Sequence, residues 1–357
     1  MTEQLYTYDI PSLRGGDILL STTSQRRSRI IRAVTRSPFS HAMLYTNRSI
    51  IHAEAGGVFS TNPQRRLFSK TQSKVLRLRQ PHSTDLQSVC DFATGLVGAL
   101  YTVPEAILAA LLHTTGQAAF SPSQYCSRLV AQAYEHGGQP IVANADFCAP
   151  GHFERCALLE EVPGAIRPAN AEEIELSRTV DTAKVHQTHT FAWLEPTRKL
   201  ARMRFGVQIV SKDEALQLVA KHPDVDEVVA EFIEESGYLT DYLMDRELSP
   251  HRYNLESFRR RLAQYSGDLA SMLTSEYVLN RDHVANALPQ FKHFSGSQLK
   301  VHTLLANMHL ERLLQTQVRL KVLRIICVEQ RKPLLLGLVS GELGTLETAL
   351  NNAGVAV

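Results

Sequence analysis

Of the five cysteines in the chain, Cys126 has the surroundings that favour chemistry. The run Ser123-Gln124-Tyr125-Cys126-Ser127-Arg128-Leu129-Val130 reads as the start of a helix, with Ser123 as N-cap and Gly137-Gly138 as the stop after about His136. In a first helical turn, unpaired N–H groups and the positive end of the helix dipole stabilise a thiolate. A working thiol also needs an imidazole to take its proton and a polar group to fix that ring's orientation and tautomer. His41 suits the first role, and Glu54 or His52 the second. The thiol alone carries little weight, since a buried cysteine is commonly a small apolar filler.

Strands must bring the imidazole and its partner to that helix. Gly16 to Leu20 reads as a short buried strand after a Gly-Gly turn, and Phe39 to Tyr45 as a strand with His41, Met43 and Tyr45 on one face. After the turn at Thr46 to Ser49, Ile50 to Ala55 places Ile50, His52 and Glu54 on a common face, so the two strands are expected to form a hairpin that Gly56-Gly57 ends. Val75 to Arg79 reads as a further strand. Helices are expected over Ser24 to Thr35, from Thr84 to about Leu100, and from Pro104 onward. Beyond residue 196 the pattern is mainly helical: Ser211 to Glu214 fits a capping box, and Val225 to Glu235, Leu255 to Leu273 and Ser297 to Gln330 carry helical apolar spacing.

The pieces Gly16-Asp17-Ile18-Leu19-Leu20, Ser40-His41-Ala42, Ile50 to Val58, Leu100-Tyr101 and Tyr125-Cys126-Ser127-Arg128-Leu129-Val130 resemble, in order and spacing, the YaeF/YiiX group of circularly permuted NlpC-type papain-like enzymes. The resemblance covers about Leu13 to Val162, and its sharpest elements are Ser40-His41 and Tyr125-Cys126-Ser127. It implies an α+β fold, with a small antiparallel sheet packed on the cysteine helix and the histidine strand preceding that helix. It also implies that Cys126 attacks a carbonyl to give an acyl-enzyme, that His41 moves the proton, and that the Cys126 amide helps bind the oxyanion. The family's third position is usually a carboxylate, which Glu54-Ala55-Gly56-Gly57-Val58 matches. His52 is the alternative, as a histidine is in lecithin-retinol-acyltransferase relatives. Tyr125 and Asp17 are secondary candidates for the oxyanion or substrate site, against ordinary roles in core packing and in a turn.

An amide bond in a peptide or peptidoglycan-type substrate is the first expectation. A lipid deacylase, thioesterase or acyltransferase is the alternative, and a non-catalytic scaffold on the same fold is a third reading. No cofactor is expected. Cys148, His152 and Cys156 are spaced like metal ligands but fall one short of a closed zinc site, so no metal is expected either. No phosphate-binding loop or dinucleotide fingerprint is present.

At 357 residues and 44% hydrophobic, 21% charged, the chain has the length and balance of two globular domains. The expected division is a catalytic domain over 1–180, a linker at 181–195 and a helical accessory domain over 196–357. Basic residues crowd the first eighty positions, including Arg65, Arg66, Lys74, Arg77 and Arg79. That end suits contact with a membrane surface, but a solvated face balanced by the acidic stretch Asp224 to Glu235 is the plainer reading, and no nucleic acid is expected. The helical part suits a protein partner. The apolar Leu96 to Leu112 stretch is too short and too interrupted for a membrane span. Five scattered cysteines and no Sec-type leader point to reduced thiols in the cytoplasm, with signal-independent export as an effector left open.

Overall fold

Short apolar runs punctuated by glycine and polar turns make the sheet of the N-terminal part. In a computed structural model that describes residues 4–22, 37–47, 49–54, 56–80, 84–99 and 125–355, eight strands form: β1 (Tyr6–Tyr8), β2 (Ile18–Ser21), β3 (His41–Tyr45), β4 (Ile50–Glu54), β5 (Gly57–Thr61), β6 (Ser73–Leu78), β7 (Leu159–Glu161) and β8 (Ile166–Pro168). Six of them form one antiparallel sheet in the order β5-β4-β3-β2-β6-β7, and β1 pairs with β8. The expected α+β architecture is present. The expected helices over Ser24 to Thr35 and from Pro104 onward lie outside the described residues, as do Ser123 and Leu100-Tyr101.

Alternation along the strands sorts side chains between two cores. Ile18, Leu20, Ala42, Leu44, Ile51 and Ala53 face helices α1 (Leu86–Gly95) and α2 (Cys126–His136), meeting Val89, Ala93, Leu129, Val130 and Ala133. Leu19, Met43, Tyr45, Ile50 and Val75 fill the other face with Tyr8 and Leu13. One polar tie holds α2 to the sheet side, the Tyr134 hydroxyl donating to the Gly16 carbonyl at 2.5 Å, and the neighbouring Asp17 accepts from Arg77 of β6 at 2.7 Å.

Gly56-Gly57 ends the second strand, as expected, and turns the chain directly into β5, a strand the sequence did not announce. Gly57 sits at φ +142°, where a side chain is strained, and an added Cβ would collide with the Phe191 ring and lie 2.7 Å from the Ala99 carbonyl oxygen.

After α3 (Pro150–Glu154) and α4 (Ala171–Arg178), residues expected to be a linker form most of a long helix, α5 (Thr182–Phe205), which Asp181 caps by accepting from the Lys184 amide. Gln187 of α5 satisfies the β5 edge: its Oε1 accepts from the Ser60 amide at 2.7 Å and its Nε2 donates to the Ser60 carbonyl at 2.6 Å. The chain divides into compact units at residues 1–216 and 217–357, with α6 (Lys212–Lys221) running across the division. The capping box expected at Ser211 to Glu214 is formed.

The second unit is helical: α7 (Asp226–Glu235), α8 (Met244–Leu248), α9 (Leu255–Gln264), α10 (Leu269–Phe294), α11 (Lys300–Glu329) and α12 (Pro333–Asn352). The single helix expected over Leu255 to Leu273 is two, broken between Tyr265 and Asp268, around Gly267. Helix α11 is the axis, with Leu305, Leu313, Leu320, Leu323 and Ile326 buried against α7, α10 and α12. Its N-terminus is capped from α7: Asp226 accepts from the Lys300 and Val301 amides at 2.6 and 3.0 Å.

Among the described residues, four cations of the basic N-terminal stretch pair with acids of their own unit. Lys74 pairs with Glu154 and Glu161, Arg77 with Asp17, Arg79 with Glu160 and Arg65 with Asp181. The acids of 224–235 pair elsewhere: Glu227 and Glu234 hold Lys300. Among the described residues, no helix is long and apolar enough to cross a membrane.

Candidate active site

Cys126 is the first residue of α2 and is 6% exposed. Tyr125 supplies the extended N-cap with no side-chain capping bond, so the first amides of α2 remain directed at what lies before the helix. The loop 144–149 pins this turn: the Tyr125 hydroxyl donates to the Asp146 carbonyl at 2.5 Å and accepts from the Cys148 amide at 3.2 Å, while Ser127 Oγ donates to the Cys148 carbonyl at 2.8 Å.

Helix α2 packs on β3 and β4. These strands are hydrogen-bonded at Tyr45–Ile50 and Leu44–Ile51, and the ladder does not continue to Ala42 and His41. Burial pushes the thiol above its ordinary pKa, and the Ala42 and Ser127 amides pull partly the other way by favouring the thiolate.

His41, the residue before Ala42, stands at the open end of β3. Its Nε2 lies 3.1 Å from Nδ1 of His52, which is fully buried, and the two rings meet edge to face with centroids 5.2 Å apart. On its far side, His52 Nε2 accepts a hydrogen bond from Arg66 Nη2 at 2.7 Å. Burial, reinforced by the Arg66 charge, lowers His41 to a pKa of about 3 and drives His52 well below the ordinary range. Both rings are therefore neutral at neutral pH. Among the described residues, the side-chain hydrogen bond of His41 goes to His52 and not to Cys126.

Glu54 and His52 were alternative partners for His41, and they differ sharply in placement. Glu54 is half exposed and lies 3.9 Å from His52 Nδ1, beyond hydrogen-bond reach, while His52 contacts His41 directly. Asp17 is brought to neither. It sits at the other end of β2, pairing in the sheet with Tyr45, while Ser21 is the residue opposite His41. Its carboxylate is 1% exposed and is consumed by Arg77 and the Arg14 amide. Tyr125 adjoins Cys126, but its hydroxyl is engaged in the 146–148 loop. Cys148 and His152 are likewise occupied locally, with His152 Nδ1 accepting from the Ala149 amide, and no group of three metal-ligating side chains occurs among the described residues.

Arg66 is the residue that sequence reasoning did not single out. In the sequence it is one more cation in a basic run; only the hairpin that carries His52 brings the two together.

Residues 12–153 match the permuted papain-like amidase enzymes of the YaeF/YiiX, C92 family. The match covers less than half of the chain. It spans the histidine strand, the cysteine helix and the loop that pins it, and likeness to a papain-like amidase family supports a cysteine hydrolase of the peptidase or amidase type. No curated protein matches the chain. The helical unit lies wholly outside the C92 match.

Proposed function

We propose that the permuted papain-like domain hydrolyses an amide bond through Cys126, with His41 as proton carrier and His52, rather than Glu54, as the group that orients it. The observation that carries this reading is the placement of Cys126 at the start of a buried helix packed on β3, the strand whose His41 ring is anchored by a second, fully buried histidine. The Cys126 thiolate adds to the carbonyl carbon, and a C–S bond forms as the C–N bond breaks. His41 passes the thiol proton to the departing amine. Water then cleaves the thioester, releasing the acid and restoring the thiol. The Cys126 amide, which has no acceptor within its own helix at this position, is suited to the tetrahedral oxyanion.

Mass spectrometry of the protein incubated with peptide amides tests the pair. An acyl adduct on Cys126 and released amine should appear, and both should be lost in His41→Ala. Amide turnover that persists in Cys126→Ala, or is unchanged in His41→Ala, would sink the reading. Turnover of thioesters or acyl lipids with no action on amides would move the domain to the acyl-transfer alternative.

A further inference from the structure

A guanidinium only donates hydrogen bonds. With Arg66 Nη2 at 2.7 Å, His52 Nε2 must be the bare acceptor nitrogen, and the single proton of the neutral ring sits on Nδ1. That Nδ1–H points at His41 Nε2, 3.1 Å away, so His41 accepts there and carries its own proton on Nδ1. In this arrangement neither nitrogen of His41 has a lone pair free for a thiol. Its protonated form fits no better: an imidazolium would donate from both nitrogens, and His52 offers Nε2 no acceptor while Arg66 stays in place.

We propose that Arg66 is a positioning residue that holds His52 and His41 in the proton arrangement that cannot deprotonate Cys126, so that catalytic competence requires Arg66 to leave His52. This rests on the catalytic reading above. On release, the His52 proton moves to Nε2 and Nδ1 becomes an acceptor. The His41 proton shifts to its Nε2, facing that acceptor, and Nδ1 of His41 is freed to take the thiol proton. No proton is gained or lost in the exchange.

Two features of the contact fit a releasable lock. Arg66 is half-buried, and its other side-chain bond goes to the neutral Thr61 hydroxyl at 3.3 Å; no carboxylate pairs with it among the described residues. Glu54 lies 3.9 Å from the proton-bearing Nδ1 of His52, on the side away from Arg66. The low pKa values of both rings agree with two neutral imidazoles in the resting state.

Nitrogen NMR of the histidine-labelled full chain at neutral pH tests this directly, with His41→Gln and His52→Gln assigning the two rings. The wild type should show both rings protonated on Nδ1. In Arg66→Met the His52 proton should move to Nε2, and Cys126 alkylation should rise by about tenfold or more as its thiolate becomes accessible. That gain should vanish when His41→Ala is added. A wild-type His52 protonated on Nε2 would overturn the proposal even if Arg66→Met fails to fold, as would an Arg66→Met protein whose tautomer shifts without faster alkylation. Failure of the catalytic reading shows differently: the tautomers would be as described, but Cys126 labelling would be indifferent to His41 in both backgrounds.

Discussion

Two arginines, one in each unit, show what a buried cation does when its partner changes. In the helical unit Arg252 is gripped by acids: Glu276 at 2.9 and 3.2 Å and Asp245 at 2.6 Å, with Asp245 also accepting from the Tyr253 hydroxyl and Arg319. This network ties α8, α10 and the Arg252-Tyr253 turn to α11, and its charges balance locally. Arg66 of the sheet unit meets no acid among the described residues and instead caps an imidazole lone pair. Opposite charges fix a cation and make it structural, whereas a neutral acceptor leaves it replaceable and lets it decide where a proton resides.

The largest way to sharpen this contrast is in the sheet unit. Cys126→Ala should abolish turnover and His41→Ala should lower it by about 10²–10⁴-fold, while neither change moves the urea midpoint of the helical unit. Next comes Gly57→Ala, which forces a Cβ onto the Phe191 ring at a positive φ and should cost about 2–4 kcal/mol in urea unfolding. Smaller is Glu276→Gln, expected to cost about 2–3 kcal/mol by leaving Arg252 half-paired. Burial opposes ionisation of Glu276, but His251 and Arg252 more than compensate and bring it down to a pKa of about 2. Its folded value lies below its unfolded one, so the stabilisation is full above about pH 4.5 and fades as pH falls toward 2. The difference between wild type and Glu276→Gln should therefore shrink over that window; a constant difference would break the comparison. Least of all, Asp226→Ala should cost about 1 kcal/mol by uncapping α11, read by hydrogen exchange at Lys300 and Val301.

The cysteine helix and the two strands carrying His41 and His52 were legible because each is a short apolar run with clear punctuation, and Cys126 indeed opens its helix. Strand β5 was not, since a Gly-Gly pair signals a stop as readily as a hairpin turn. Nor was α5: its stretch is rich in Thr, His and Gln, holds Pro196, and buries Gln187, Thr197 and Arg198 beside Trp193 and Leu194, so its apolar period is weak. His52 and Glu54 share a strand face, and spacing alone could not choose between them. Depth separates them, because Glu54 at the strand's end reaches solvent while His52 is buried beside Phe59. Balancing of the basic run also escaped the sequence, because Asp17, Glu154, Glu160, Glu161 and Asp181 are scattered along the chain.

The Gln187 amide has a consequence for how a peptide can approach. By occupying both backbone groups of Ser60, it imitates one rung of a neighbouring strand and removes the template at that point of β5. A linear substrate therefore cannot dock there by strand addition, and two copies of the chain cannot zip together along that stretch. At that point the sheet carries a built-in guard against templated self-assembly.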